Sequence, residues 1–159
     1  MTVKAGDKIP SGTLTHMGSE GPAALTTDEL FNGKKVVVFG VPGAFTPTCS
    51  ETHMPGFVAR YDDLVAKGVD HVVCVSVNDV FVMDAWGKSQ NGENLIMAAD
   101  GSAEWTKALG LEFDLTARGL VVRSRRYSMI VDNGVVKNVN VEEAAAVEVS
   151  SADQILAQL

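Results

Sequence analysis

The sequence predicts an α/β domain in which all 159 residues form one unit, a mixed β-sheet flanked by helices. Three observations predict it. Val36–Val41 and His71–Val77 are continuous, mostly β-branched runs, which is how strands covered on both faces read. An amphipathic helical stretch separates them, so the two strands are parallel with a right-handed crossover. Near the C-terminus, Asp132-Asn133-Gly134 lies between two β-prone runs and marks an antiparallel hairpin.

Taken in order, residues 1–24 are rich in Gly, Ser, Thr and Pro and read as a loop with one weak hairpin around Met17–Glu20. Thr26-Thr27-Asp28-Glu29 fits a capping box and opens a short helix through Phe31 that Gly33 ends. After strand 36–41 a Gly/Pro/Thr loop leads into a helix from about Cys49 to Lys67, stopped by Gly68. Met54, Phe57, Val58, Tyr61, Leu64 and Val65 recur in it at helical spacing. Pro55 frees the carbonyl of Glu51 and predicts a kink. Following the second strand, Asn78 is the expected N-cap of a helix over 79–88 with Phe81, Val82, Ala85 and Trp86 inward.

Leu95–Ala98 reads as a third parallel strand. Ser102 caps a helix carrying Trp105, Ala108 and Leu109, ended by Gly110. Segment 111–120 shows no period and reads as loop. The hairpin joins 125–131 to 134–141, and 142–149 fits either loop or helix. Ser151-Ala152-Asp153-Gln154 is a second capping box, opening a terminal helix with Ile155, Leu156 and Leu159 inward.

Composition narrows the function classes. A formal net charge of -7 argues against nucleic-acid binding, and the short basic run Arg123–Arg126 does not reverse that. No apolar run is long enough to span a membrane. Met1–Asp7 is polar, with no signal-peptide core, so the expected location is the cytoplasm. There, Cys49 and Cys74 are expected as reduced thiols. Cysteine and histidine spacing gives no metal site: Cys49 and His53 alone share a helix face.

The chemistry concentrates in Val37–Ser50. The loop leaves the carboxyl end of a parallel strand, where α/β sheets place their ligands. It delivers Cys49 to a helix N-terminus, whose unpaired N–H groups favour a thiolate. Thr46 can donate a hydrogen bond to the sulfur and accept one from a substrate. Pro42 and Pro47 stiffen the loop and shield the thiolate, and a guanidinium from elsewhere would add a fixed positive charge. His53, one turn on, is either a base or a packing or contact residue, the second being favoured. Cys74, mid-strand between two valines, reads first as core. Arg123 and Arg125 read as solvated or salt-bridged, and Trp86 and Trp105 as core.

Pro42-Gly43-Ala44-Phe45-Thr46-Pro47-Thr48-Cys49 resembles the active-site motif of peroxiredoxins. Gly40–Ser50 with Thr52–Phe57, then Ser76–Asp79, Gly110–Glu112 and Arg125–Met129, narrow the resemblance to the type II (Prx5-like) subfamily over most of the chain. The resemblance implies a thioredoxin-like fold and reduction of hydrogen peroxide and organic hydroperoxides, with Cys49 as the peroxidatic thiol. It assigns Pro42, Thr46 and Arg126 to the catalytic site, and Thr46, Arg126 and Gly43 to the peroxide. It implies no metal or organic cofactor, a homodimer with contacts near the active-site loops, and regeneration by glutaredoxin/glutathione or thioredoxin. Some members carry a resolving cysteine in the region of 142–150, and this chain has none there. The resemblance, in which related members keep a cysteine where Cys74 stands, makes Cys74 a possible resolving thiol, with core packing the favoured reading. Rival readings of Cys49 are a cysteine hydrolase using His53 and a peroxide-sensing relay or binding module with little turnover.

Overall fold

The computed structural model describes residues 1–159. Its centre is a seven-stranded mixed sheet. Three parallel strands occupy the middle: β3 (Lys35–Val41), β4 (His71–Ser76) and β5 (Ile96–Ala99). The expected weak hairpin is a full one, β1 (Thr13–Gly18) and β2 (Gly21–Thr26), and β1 lies antiparallel beside β5. On the other edge, β8 (Tyr127–Asp132) runs antiparallel to β3 and pairs with β9 (Val135–Val141). Asn133 and Gly134 both take positive φ, 48° and 79°, the geometry a two-residue hairpin of the Asn-Gly type requires.

Alternation along the buried strands splits the core in two. Val37, Phe39, Val41 and Cys74 face one way, onto α2 (Met54–Ala59), α3 (Tyr61–Ala66), α4 (Val80–Ser89) and α6 (Ala152–Gln158). Val36, Val38, Val73 and Val75 face the other, onto α1 (Thr27–Phe31) and α5 (Glu104–Ala108). Both expected N-caps form: Thr26 accepts from the Glu29 N–H at 3.2 Å and Ser151 from the Gln154 N–H at 3.1 Å.

Four expectations need correction. The helix expected over 49–67 is in pieces. It opens with a wide π-helical turn, Cys49–His53, in which the Met54 N–H reaches back to the Cys49 carbonyl, and it breaks at Arg60 between α2 and α3. Pro55 cannot donate to Glu51, so the kink expected there takes the form of this wide turn. Asp79, not Asn78, caps α4, accepting from Val82 at 2.9 Å. A start one residue later turns the face, so Val80, Met83, Trp86 and Gly87 are buried, while Phe81 and Ala85 are exposed.

Ser102 does not cap α5. The Asp100 carboxylate does so, accepting from Trp105 and Thr106 at 3.3 and 2.7 Å. Finally, 111–120 is not plain loop: β6 (Glu112–Leu115) and β7 (Val121–Ser124) form a separate two-stranded sheet around a 3₁₀ turn. Segment 142–149, open between two readings in the sequence, is irregular loop.

Candidate active site

The loop between Val41 and Pro47 is gripped from several sides. Asn78, released from capping, accepts the Ala44 N–H at 3.0 Å and the Ser76 hydroxyl at 2.6 Å through one side-chain oxygen. Arg123 donates to the Pro42 carbonyl at 3.4 Å, and its guanidinium packs over Gly43, where a Cβ would meet it at 2.9 Å. Phe45 sits at φ 63°, an uncommon value for an aromatic residue that this loop over-determines. The helical run then starts at Pro47, a position where its missing N–H has no cost, and the Ser50 N–H bonds to the Thr46 carbonyl at 3.0 Å. Cys49 therefore lies in the first turn.

The Thr46 hydroxyl donates to the Gly43 carbonyl at 2.6 Å rather than to sulfur. This corrects the expectation: the tight turn brings the carbonyl onto the hydroxyl and takes its one proton, leaving its lone pairs as acceptors. Cys49 is fully buried, and its partner is Arg126, whose Nη2 donates to Sγ at 3.2 Å. Arg126 comes from the junction of β7 and β8 and is 5% exposed, so its charge is poorly hydrated. Its Nε is buried with no partner.

Its Nη1 meets His53 Nδ1 at 3.0 Å, and His53 Nε2 meets the Ser150 carbonyl at 2.9 Å. A carbonyl only accepts, so the imidazole carries its proton on Nε2 and presents a lone pair to the guanidinium. Burial, reinforced by the Arg126 charge, pushes His53 down to about 4, so the ring is neutral at physiological pH. His53 thus bonds Arg126, while its ring packs on Phe39 and Phe57. Arg123 and Arg125 are half-buried and form no ion pair: both donate to backbone carbonyls, Arg125 to Glu142 at 3.2 Å.

Cys74 is fully buried on β4, between Phe39 and Met97 of its neighbours. Burial pushes its thiol up, and the proximity of Cys49 adds to that. The open side of the site is a cleft of about 560 Å³, bounded by Pro42, Thr46 and Arg126 and walled by Phe113, Leu115 and Leu120. No group of three or more His, Cys, Asp or Glu side chains is placed to hold a metal ion. Sequence reasoning missed the anchoring roles of Asn78, Arg123, Ser150 and Glu142. Only Asn78 carried a sequence signal, and that signal read as a cap.

The site is thus a buried thiol at the carboxyl end of a parallel strand, met by a guanidinium under a proline-stiffened loop, in a mixed sheet flanked by helices. Comparison gives the class. Residues 4–156 match the Redoxin family. The chain is 46% identical over 159 residues to Peroxiredoxin-2D of Arabidopsis thaliana, covering 99% of this chain and 98% of that one. It is 48% identical to the chloroplastic Peroxiredoxin-2E-2 of Oryza sativa, covering 99% and 73%. Among solved structures it is similar to reduced Prx3 of Vibrio vulnificus in complex with H2O2, with a TM-score of 0.95, 54% identity and 99% of each chain covered. The chain belongs to the type II, Prx5-like peroxiredoxins, which are thiol-dependent peroxidases.

Proposed function

We propose that Cys49 is the peroxidatic thiol, that Arg126 and Thr46 hold the hydroperoxide, and that an external thiol donor returns Cys49 to the reduced state. The Arg126 Nη2 to Cys49 Sγ bond at 3.2 Å carries this reading. A guanidinium donor interacts more strongly with a thiolate than with a thiol, and it cannot lose its charge by deprotonation. The thiolate attacks the protonated oxygen of the hydroperoxide. An S–O bond forms as the O–O bond breaks, sulfur is oxidised by two electrons, and the departing alkoxide or hydroxide takes a proton from solvent to leave as alcohol or water. The unpartnered Nε–H of Arg126 is the free donor for the charge developing on the peroxide oxygens. Thr46, its proton committed to Gly43, accepts from the peroxide O–H. Gly43 admits this arrangement by carrying no side chain against Arg123, and Pro42 keeps water off the sulfur.

The sulfenic acid then condenses with a donor thiol, releasing water and leaving a mixed disulfide that a second thiol reduces. Glutaredoxin with glutathione is the proposed donor, thioredoxin the alternative. Cys74, buried and held protonated in the central sheet, serves as core rather than as the resolving thiol. A cysteine hydrolase using His53 is disfavoured because its Nδ1 lone pair is directed to Arg126 and its Nε2 to a carbonyl.

The whole chain acts as one domain and as a homodimer. Phe45, 56% exposed in the active-site loop, and Phe113, 48% exposed on the cleft wall, supply apolar contact near the site. Two unpaired thiols suit a reducing compartment, and the cytoplasm is the proposed location. The test is NADPH-coupled consumption of hydrogen peroxide, with glutaredoxin and glutathione and separately with thioredoxin. Turnover is expected with the first, and Cys49→Ser abolishes it. An active Cys49→Ser protein would make the site assignment wrong.

A further inference from the structure

Glu142 follows β9, in a stretch the catalytic motif does not reach. Its side chain is buried although Glu143–Ala145 beside it are exposed. One oxygen, Oε2, accepts four donors: the N–H groups of Glu148, Val149 and Ser150 at 2.8, 2.9 and 2.8 Å, and the Ser150 hydroxyl at 2.7 Å. Burial pushes this carboxyl up, but those donors outweigh burial and hold it below the usual range, so it is ionised. Segment 142–150 has neither ladder nor helix, and this carboxylate is what organises it.

Ser150, with its N–H and hydroxyl both directed to Glu142, turns its carbonyl to His53 Nε2 at 2.9 Å. That contact decides the tautomer. If the carbonyl withdrew, the imidazole proton could move to Nδ1, and two donors would face each other across the present His53–Arg126 contact of 3.0 Å. His53 and the Cys49 sulfur are the only side-chain acceptors of Arg126, so losing one frees the guanidinium to swing. Glu142 also bonds Arg126 through the main chain, its N–H donating to the Arg126 carbonyl at 2.9 Å.

We infer that Glu142 is a positioning residue: its carboxylate holds Ser150 so that the Ser150 carbonyl fixes the His53 tautomer, and His53 in turn aims the Arg126 guanidinium at Cys49. The inference rests on the reading of Arg126 and Cys49 as the reacting pair. It gives segment 142–150 a task in a chain whose own sequence has no resolving cysteine there.

The test is Glu142→Gln, alone and combined with His53→Phe, which keeps the ring packing on Phe39 and Phe57 but removes both nitrogens. Three readouts are taken: the Cys49 thiolate titration by ultraviolet absorbance, the rate of Cys49 alkylation by iodoacetamide, and its rate of oxidation by hydrogen peroxide. Glu142→Gln is expected to raise the titration midpoint and slow both reactions about tenfold, the loss of one charge-assisted contact. On the His53→Phe background it is expected to add less than about twofold, because the effect passes through His53. Titration and rates that coincide with wild type, or losses that multiply in the double variant, overturn the inference.

If Glu142→Gln does not fold, Ser150→Ala decides. It keeps the carbonyl but removes one donor to Glu142, and a fall of about twofold in both rates is expected. Wild-type rates in that variant overturn the inference. If wild-type Cys49 is not oxidised by peroxide, the peroxidase reading fails by itself, because alkylation still reports how the guanidinium is aimed.

Discussion

At the sulfur of Cys49 the contact that matters is a single guanidinium N–H at 3.2 Å, and the planar fork of Arg126 serves His53 with its other nitrogen. Arg126→Gln is expected to slow Cys49 oxidation by about 10²–10³, the usual cost of removing a preorganised donor, with stopped-flow mixing as the measurement. Arg126→Lys should not rescue it, since a single ammonium cannot span both partners in the same geometry. His53 adds a pH dependence. The unfolded chain binds a proton at His53 below pH 6.5, and the native state does not until about pH 4. The unfolded state therefore holds more protons in that window, and stability falls as pH drops through it, by up to about 3 kcal/mol. Urea titrations at pH 7 and pH 4.5 check this, and His53→Phe should flatten the difference. The residues that gather here were named by the sequence, Cys49, Thr46 and Pro42 from a contiguous motif and Arg126 from a distant block. The destination of the Thr46 proton was not, because it depends on a turn closing to 2.6 Å.

Elements carry the site by fixing where side chains start. The Tyr127 ring of β8 lies across its partner Gly40 on β3, where a Cβ would sit 2.0 Å from the ring, and both residues are in buried central strands. Gly40→Ala is expected to destabilise by about 2 kcal/mol or more, seen as a lowered Tm, because neither strand can give way. Cys74, on the neighbouring β4, is not needed for turnover on this account. Cys74→Ala should keep glutaredoxin-coupled activity within about twofold of wild type, since it removes only a small buried group. A collapse of activity with the fold intact would restore Cys74 as resolving thiol. The strand runs and the Asn-Gly hairpin were readable from pattern, because burial on both faces writes itself as continuous valine. The phase of α4 was legible only in part: Trp86 is buried as expected, whereas Val80, Met83 and Gly87 take the inner face in place of Phe81 and Ala85. The cap moved to Asp79 because Asn78 is used to hold the active-site loop. The β6–β7 hairpin escaped because half of its strand residues are exposed and β7 starts on Val121 at φ 58°, a conformation no pattern assigns to valine.

On the scale of the molecule, the sheet brings together residues far apart in sequence: Cys49 and Asn78 follow parallel strands, while Arg126 and Glu142 flank an antiparallel pair at the edge. That convergence explains why the fold class was legible from element order, whereas the support of the site by Glu142 and Ser150 was not. Their contacts exist only once β9 and α6 are docked. The same assembly leaves Phe45 and Phe113 exposed near the cleft, and sedimentation should give a dimer that Phe45→Asp weakens. The most direct test of the whole account is the mass of the Cys49 peptide after stoichiometric micromolar hydrogen peroxide without a thiol donor, with a sulfenic-acid trap present. The account predicts the trapped adduct on Cys49 in wild type and its near absence in Arg126→Gln over the same seconds. An unmodified Cys49 in wild type, or equal trapping in the two proteins, would contradict it.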